Sequence, residues 1–173
     1  PDTDDNVAAL MGEEDADAAL EALLAGAPHL VSQSIRHQRI AQSPMETRGV
    51  VASLQGESEL LVHITCAGPQ LVARWLTLAL DRPGLSVRVI AKDVGGSFGL
   101  KNHPWMEEVS AILAAMLLRR PVKWIEDRIE NLTAANRARE QEMTLRAAFD
   151  TDGRLIASHA DYALNNGAYP MGA

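Results

Sequence analysis

The stretch that decides the fold runs from Leu85 to Arg119. It holds Leu85–Ser86–Val87–Arg88–Val89–Ile90–Ala91, then Asp93–Val94–Gly95–Gly96–Ser97–Phe98–Gly99–Leu100–Lys101, then Trp105 onward. The first run, rich in Val and Ile, predicts a strand. The second is a glycine-rich loop. The third carries Val109, Ile112, Leu113, Met116 and Leu117 at helical spacing and predicts a long apolar helix over 105–119. Arg119, Arg120 and Pro121 stop that helix, and the basic pair suits the negative end of its dipole. Val122 to Ile125 then reads as a short buried strand.

On the N-terminal side, Asp15 to Ala25 predicts a short helix ended by Gly26 and Pro28, and Leu30 to Ala41 predicts a strand. Gly49–Leu54 and Leu60–Thr65 flank Gln55–Gly56–Glu57–Ser58 and predict a hairpin. Pro69 opens an apolar helix pattern of Leu71, Val72, Trp75, Leu76 and Leu78, which Pro83–Gly84 closes. On the C-terminal side, Met143–Phe149 and Leu155–Leu164 flank the turn Asp150–Thr151–Asp152–Gly153. Irregular alternation with hairpins at both ends predicts an α+β fold with a mixed sheet and packed helices, not a doubly wound parallel sheet.

The 173 residues suit one domain or part of a larger chain. No apolar run reaches the roughly 18 residues of a membrane-spanning helix. Cys66 is the only cysteine, which excludes an internal disulfide and any Cys-rich metal site built by this chain alone. Residues 1–25 hold eight acids and no Lys or Arg, so the formal charge of −7 is concentrated there. Residues 1–27 are accordingly read as an acidic linker with a short helix, and 28–173 as the domain proper. No concentrated basic patch points to nucleic acid. No export signal is visible after Pro1, and a cytoplasmic location is expected. The turn-rich Asn165–Asn166–Gly167–Ala168–Tyr169–Pro170 suggests a chain cut between elements, and such a piece is expected to expose apolar surface and self-associate.

Three glycines between Gly95 and Gly99 let a ligand approach main-chain N–H groups closely. Successive N–H groups form a nest for anionic oxygens, and Lys101 adds positive charge nearby. The spacing fits neither the G-x-G-x-x-G dinucleotide fingerprint nor the P-loop, because Asn102 follows Lys101. From the loop alone, a structural turn and a ligand cradle stand equally open.

Val94–Gly95–Gly96–Ser97–Phe98–Gly99–Leu100–Lys101 resembles the G-G-G-F-G-x-K loop of the molybdopterin-binding large subunits of the xanthine dehydrogenase, aldehyde oxidase and carbon monoxide dehydrogenase family. Pro44–Met45–Glu46 with Arg48–Gly49 resembles its P-M-E-x-R-G segment, and Gln70 its S-x-Q-x-P element. Arg120–Pro121–Val122–Lys123–Trp124 with Asp127–Arg128 resembles R-P-V-K-W-x-x-x-R. The resemblance runs in register from about residue 28 to 170 and implies part of a molybdenum-cofactor-binding domain in an oxidoreductase large subunit.

It also implies roles. Gln70 would donate to an oxo ligand of molybdenum. The amides of Phe98 and Gly99 would lie beside metal and pterin, with Gly95, Gly96 and Ser97 shaping the loop. The cofactor would be molybdenum–molybdopterin, in the cytosine dinucleotide form if bacterial. Iron–sulfur clusters and FAD would sit on partner subunits or domains. Aldehydes, CO or heterocycle-like small molecules would be hydroxylated with oxygen drawn from water, and the family's catalytic Glu would lie beyond residue 173. None of the catalytic residues falls in this chain, which alone would be inactive. Ser97 departs from the usual third glycine, and Asn102 stands where purine and aldehyde enzymes often carry Glu. These departures and the acidic start motivate an alternative: a non-catalytic assembly or interaction domain.

Among other residues, His37 and His63 read as sheet residues and His103 as a loop residue facing solvent or cofactor. Glu107 and Glu108 read as helix-opening carboxylates. Cys66 reads as a small buried hydrophobe. Trp75, Trp105 and Trp124 read as packing residues, and Asp127, Arg128 and Glu130 as surface ion pairs.

Overall fold

The computed structural model describes residues 12 and 17–167. Most of the acidic start and the run from Ala168 onward lie outside the described residues. Two compact units are present. One is drawn from residues up to Ile40 and from Arg139 on; the other is Ala41–Ala138. In chain order the elements are α1 (Asp17–Gly26), β1 (His29–Ala41), β2 (Gly49–Gln55), β3 (Glu59–Ile64), α2 (Pro69–Leu80), β4 (Ser86–Ile90), α3 (Met106–Leu118), β5 (Val122–Ile125), α4 (Arg128–Ala134), β6 (Arg137–Phe149) and β7 (Leu155–Leu164). The α+β class is as expected from sequence, with the strands divided between two sheets.

The first unit holds a three-stranded sheet in the order β1-β6-β7. Strands β6 and β7 are antiparallel around the expected turn, where Asp150 Oδ1 accepts from the amides of Asp152 and Arg154, and Gly153 takes φ 79°. Helix α1 packs on β7 and buries Leu24.

The second unit is a four-stranded mixed sheet in the order β4-β3-β2-β5. The β2–β3 hairpin pairs Val50 with Ile64 and Ala52 with Val62. Since strand side chains alternate between faces, Val50, Ala52, Leu60, Val62 and Ile64 share one face. They bury against Val72 and Leu76 of α2 and Ala111, Ile112 and Ala115 of α3. Strand β4 returns parallel to β3 after the α2 crossover. That arrangement puts the chain leaving β3 and the chain leaving β4 at the same end of the sheet. Cys66 belongs to this core, as expected of a small hydrophobe. Strand β5 differs from expectation: it lies on the sheet edge, so Ile125 is 59% exposed and only alternate residues are half-buried.

Helix α4 was not anticipated. Asp127 and Glu130 form no ion pair among the described residues; they cap it reciprocally, with Asp127 Oδ1 accepting from the Glu130 amide and Glu130 Oε2 from the Asp127 amide. Strand β6 also begins six residues before the expected Met143, at Arg137.

Candidate functional site

One end of the four-stranded sheet gathers nearly every residue singled out from the sequence. Thr65 donates its amide to Gly49 O, and Glu126 donates its amide to Arg48 O, so the start of β2 and the ends of β3 and β5 are tied side by side. The glycine loop leaves β4 at this end, and α2 begins here with Pro69 and Gln70 in its first turn. The Ala67 amide donates to Lys101 O at 2.9 Å, fastening the chain just before α2 to the end of the loop. Gln70 and the loop therefore share an edge, in the position where ligands bind beyond the C-terminal ends of parallel strands.

The loop is held from outside by Glu46. Its amide donates to Gly95 O at 3.1 Å. Its carboxylate Oε2 accepts from the Gly95 amide at 2.8 Å and from Lys101 Nζ at 3.0 Å. A Cβ on Gly95 would lie 2.6 Å from the Glu46 Cβ, so only glycine permits this approach. Within the loop, Ser97 O accepts from the Leu100 amide and Ser97 Oγ from the Lys101 amide. Gly96, Phe98 and Gly99 take φ of 102°, 52° and 89°, whereas Ser97 needs no left-handed backbone. The departure from a third glycine thus costs this loop no required conformation.

What remains open is a row of donors. The amides of Gly96, Ser97, Phe98 and Gly99 donate to no acceptor among the described residues. The Phe98 side chain is 72% exposed and Gln70 is exposed. Among the described residues no three His, Cys, Asp or Glu side chains converge on a metal position. The edge therefore offers neutral hydrogen-bond donors, which fit the oxygens of an anionic cofactor that brings its own metal ligands.

Lys101 does not serve as expected. Its ammonium is fully buried and paired with Glu46, so its charge is spent inside the protein and not presented to a ligand. Burial works against ionisation of Glu46, but the Gly95 amide and the Lys101 ammonium together outweigh it and hold the carboxyl below the usual carboxylate range.

Behind the loop lies a buried ionic cluster. Arg48, 2% exposed, donates from Nε and Nη2 to Glu126 Oε1 at 3.0 and 2.6 Å, and from Nη1 to Glu107 Oε2 at 3.1 Å. The Arg48 amide and Asn131 Nδ2 donate to Glu126 Oε2. The Arg48 guanidinium lies 5.4 Å from the Trp124 ring centroid. Burial opposes charge on Arg48 and Glu126, and their mutual bonding prevails, raising the former's pKa and lowering the latter's. Arg128 is no surface ion-pair residue either: it donates to the carbonyls of Pro44 and Met45 and to Asn131 Oδ1.

Glu108 opens α3 as expected, with Oε2 accepting from the Trp105 amide, but it is buried to 2% exposure. Burial pushes its pKa up to about 7, helped by the charges of Glu107 and Glu126 against the pull of that amide and of Arg48. The His103 and Trp105 rings meet at a tilt of 53° with centroids 4.3 Å apart, and His103 Nε2 is buried with no partner among the described residues. Burial lowers its pKa. Trp105 donates Nε1–H to Leu100 O, bracing the loop from its far side.

Glu46, Arg48, Glu126 and Arg128 were the residues whose roles sequence reading missed. Glu46, Arg48 and Arg128 stood inside motifs already quoted, but nothing in their spacing reveals which partners they find across the sheet.

A family model described as molybdopterin cofactor-binding domain matches residues 1–173. The chain is 35% identical over 153 residues to the carbon monoxide dehydrogenase large chain of Hydrogenophaga pseudoflava, covering 88% of this chain and 19% of that one. It is 38% identical over 146 residues to the nicotine 6-hydroxylase large subunit of Paenarthrobacter nicotinovorans, covering 84% and 18%. Among solved structures, reconstituted CO dehydrogenase from Oligotropha carboxidovorans matches with a TM-score of 0.73 at 33% identity, over 84% of this chain and 18% of that chain. The chain thus spans less than a fifth of the length of these relatives.

Proposed function

The chain belongs to the molybdopterin cofactor-binding domain family, and from that membership we propose that it forms one wall of the cofactor site in a molybdenum hydroxylase large subunit. The observation that carries this reading is the row of uncommitted amides from Gly96 to Gly99, set on the same sheet edge as Gln70. When bound, the molybdenum cofactor supplies two-electron redox chemistry for hydroxylation with oxygen drawn from water.

The residues of this chain bind and orient it. Gly95 and Gly96 shape the loop, and Ser97 closes its turn. The Phe98 and Gly99 amides would donate to oxygens of the bound cofactor, and the Gln70 carboxamide would supply a further donor. Neutral donors stabilise anionic oxygens there without adding charge. Ser97 at an ordinary φ leaves the loop competent, which gives no support to a non-catalytic assembly domain.

The finer reading follows the relatives and Asn102. A CO- or heterocycle-oxidising branch is favoured over purine hydroxylases, with aldehydes the neighbouring class. It carries the cytosine dinucleotide form of the cofactor, electron transfer to iron–sulfur and FAD-bearing partners, and a cytoplasmic location.

The test is the full-length protein with and without Gln70→Ala. Because Gln70 is exposed and its side chain makes no hydrogen bond among the described residues, the variant should fold normally and lose turnover by about tenfold or more. A wild-type protein purified without molybdenum and pterin, or a variant with unchanged metal content and turnover, refutes the reading.

A further inference from the structure

Resting on that reading, we propose that Glu46 is the positioning residue of the cofactor loop: a clasp that fixes the Gly95–Lys101 turn and withholds the Lys101 charge from the ligand. The Glu46 amide and carboxylate grip Gly95 through both its oxygen and its N–H. The same carboxylate oxygen neutralises Lys101 at the loop's other end. Gripping Gly95 at one end and Lys101 at the other fixes the separation of the two, and the amides between them are left pointing at no protein acceptor. The Glu46 backbone is anchored in turn, since Arg128 donates to the carbonyls of the two preceding residues, Pro44 and Met45.

Neutralisation also sets the character of the cradle. A buried lysine without a counter-charge is strongly disfavoured. With Glu46 in place, the Lys101 charge is already paired and the Gly96–Gly99 turn itself presents amide dipoles, a surface suited to spread anionic oxygens held by several weak donors.

Glu46→Ala alone would strand the buried ammonium and risk unfolding. The informative variant is therefore Glu46→Ala/Lys101→Met in the full-length protein, beside Glu46→Gln/Lys101→Met. Both are neutral at this position, and only the glutamine retains an oxygen for the Gly95 amide.

Two readouts apply. Hydrogen exchange of cofactor-free protein follows the Leu100 and Lys101 amides, which bond Ser97 and not Glu46. Molybdenum and pterin content follows ligand retention. In the alanine variant, exchange at Leu100 and Lys101 should rise about tenfold or more, as expected for loss of a charge-assisted hydrogen bond, with α3 unchanged. Cofactor content should fall in parallel, and the glutamine variant, which keeps the Gly95 end of the clasp alone, should recover part of both.

Exchange unchanged in the alanine variant overturns the proposal, and so does a glutamine variant that exchanges as fast as the alanine one. Faster exchange with full cofactor content supports the clasp and instead removes the reading of the loop as a cofactor cradle.

Discussion

Replacing Glu108 by glutamine tests whether the buried end of the sheet carries an acid that ionises only at a cost. In the folded protein its pKa rises from 4.5 to about 7 through burial. The folded state therefore binds a proton more tightly than the unfolded chain. The stability this contributes is complete below pH 4.5 and is lost as pH rises through 7. Converted at the linkage rate, the ionised carboxylate costs the fold about 3 kcal/mol above pH 8. Glutamine keeps an oxygen for the Trp105 amide, which Glu108 Oε2 bonds at 2.8 Å, and cannot ionise.

The assay is urea unfolding followed by tryptophan fluorescence across pH 5–8, since Trp75, Trp105 and Trp124 all lie in the unit Ala41–Ala138. Glu46 and Glu126, held below the ordinary carboxylate range, lose stability toward the acid end of that window as the unfolded carboxylates take up protons, and do so in both proteins. His103, lowered by burial, loses stability as pH falls below 6.5. It does so in both proteins and cancels in the difference. The variant should match wild type at pH 5 to within about 1 kcal/mol and exceed it by as much as about 3 kcal/mol at pH 8. A difference that stays constant across the window refutes the reasoning.

Arg48→Met should cost about 3–5 kcal/mol in urea unfolding, because it leaves Glu126, fully buried, without its counter-charge. The double variant Arg48→Met/Glu126→Gln should recover most of that loss. Gly95→Ala places a methyl 2.6 Å from the Glu46 Cβ, which the backbone holds in place, and should cost about 1–3 kcal/mol. Molybdenum content of the full-length Gly95→Ala protein should fall with it, whereas Gly26→Ala, where nothing lies within 4 Å and the backbone is not left-handed, should leave metal content at the wild-type level.

Local patterns were readable in the sequence wherever one face of an element is buried. Strands β2 and β3 alternate because only Val50, Ala52, Leu60, Val62 and Ile64 face the helices, and α2 repeats because Val72 and Leu76 face back. Helix α4 escaped because its seven residues are too few for periodicity; its true signal was the Asp127–Glu130 capping spacing, which also reads as an exposed ion pair. The first half of β6 escaped because Arg137 to Glu142 is polar on both faces, and Arg139 and Glu140 take positive φ there.

The site divides along the same line. Where the glycines fall is a local property, and the loop was found from it. Where a charge is spent is not. Lys101 beside three glycines looks like an anion receptor until the fold brings Glu46, 55 residues earlier, into contact with its ammonium. The motifs around Pro44–Arg48 and Arg120–Arg128 make physical sense only after folding, as the braces that turn a flexible glycine run into a fixed row of donors. A loop so rich in glycine has little order of its own. Its order is borrowed from the Glu46 carboxylate and the chain that anchors it, so on the proposed reading a substitution at Glu46 or Arg128 should weaken cofactor retention without touching one of the donors.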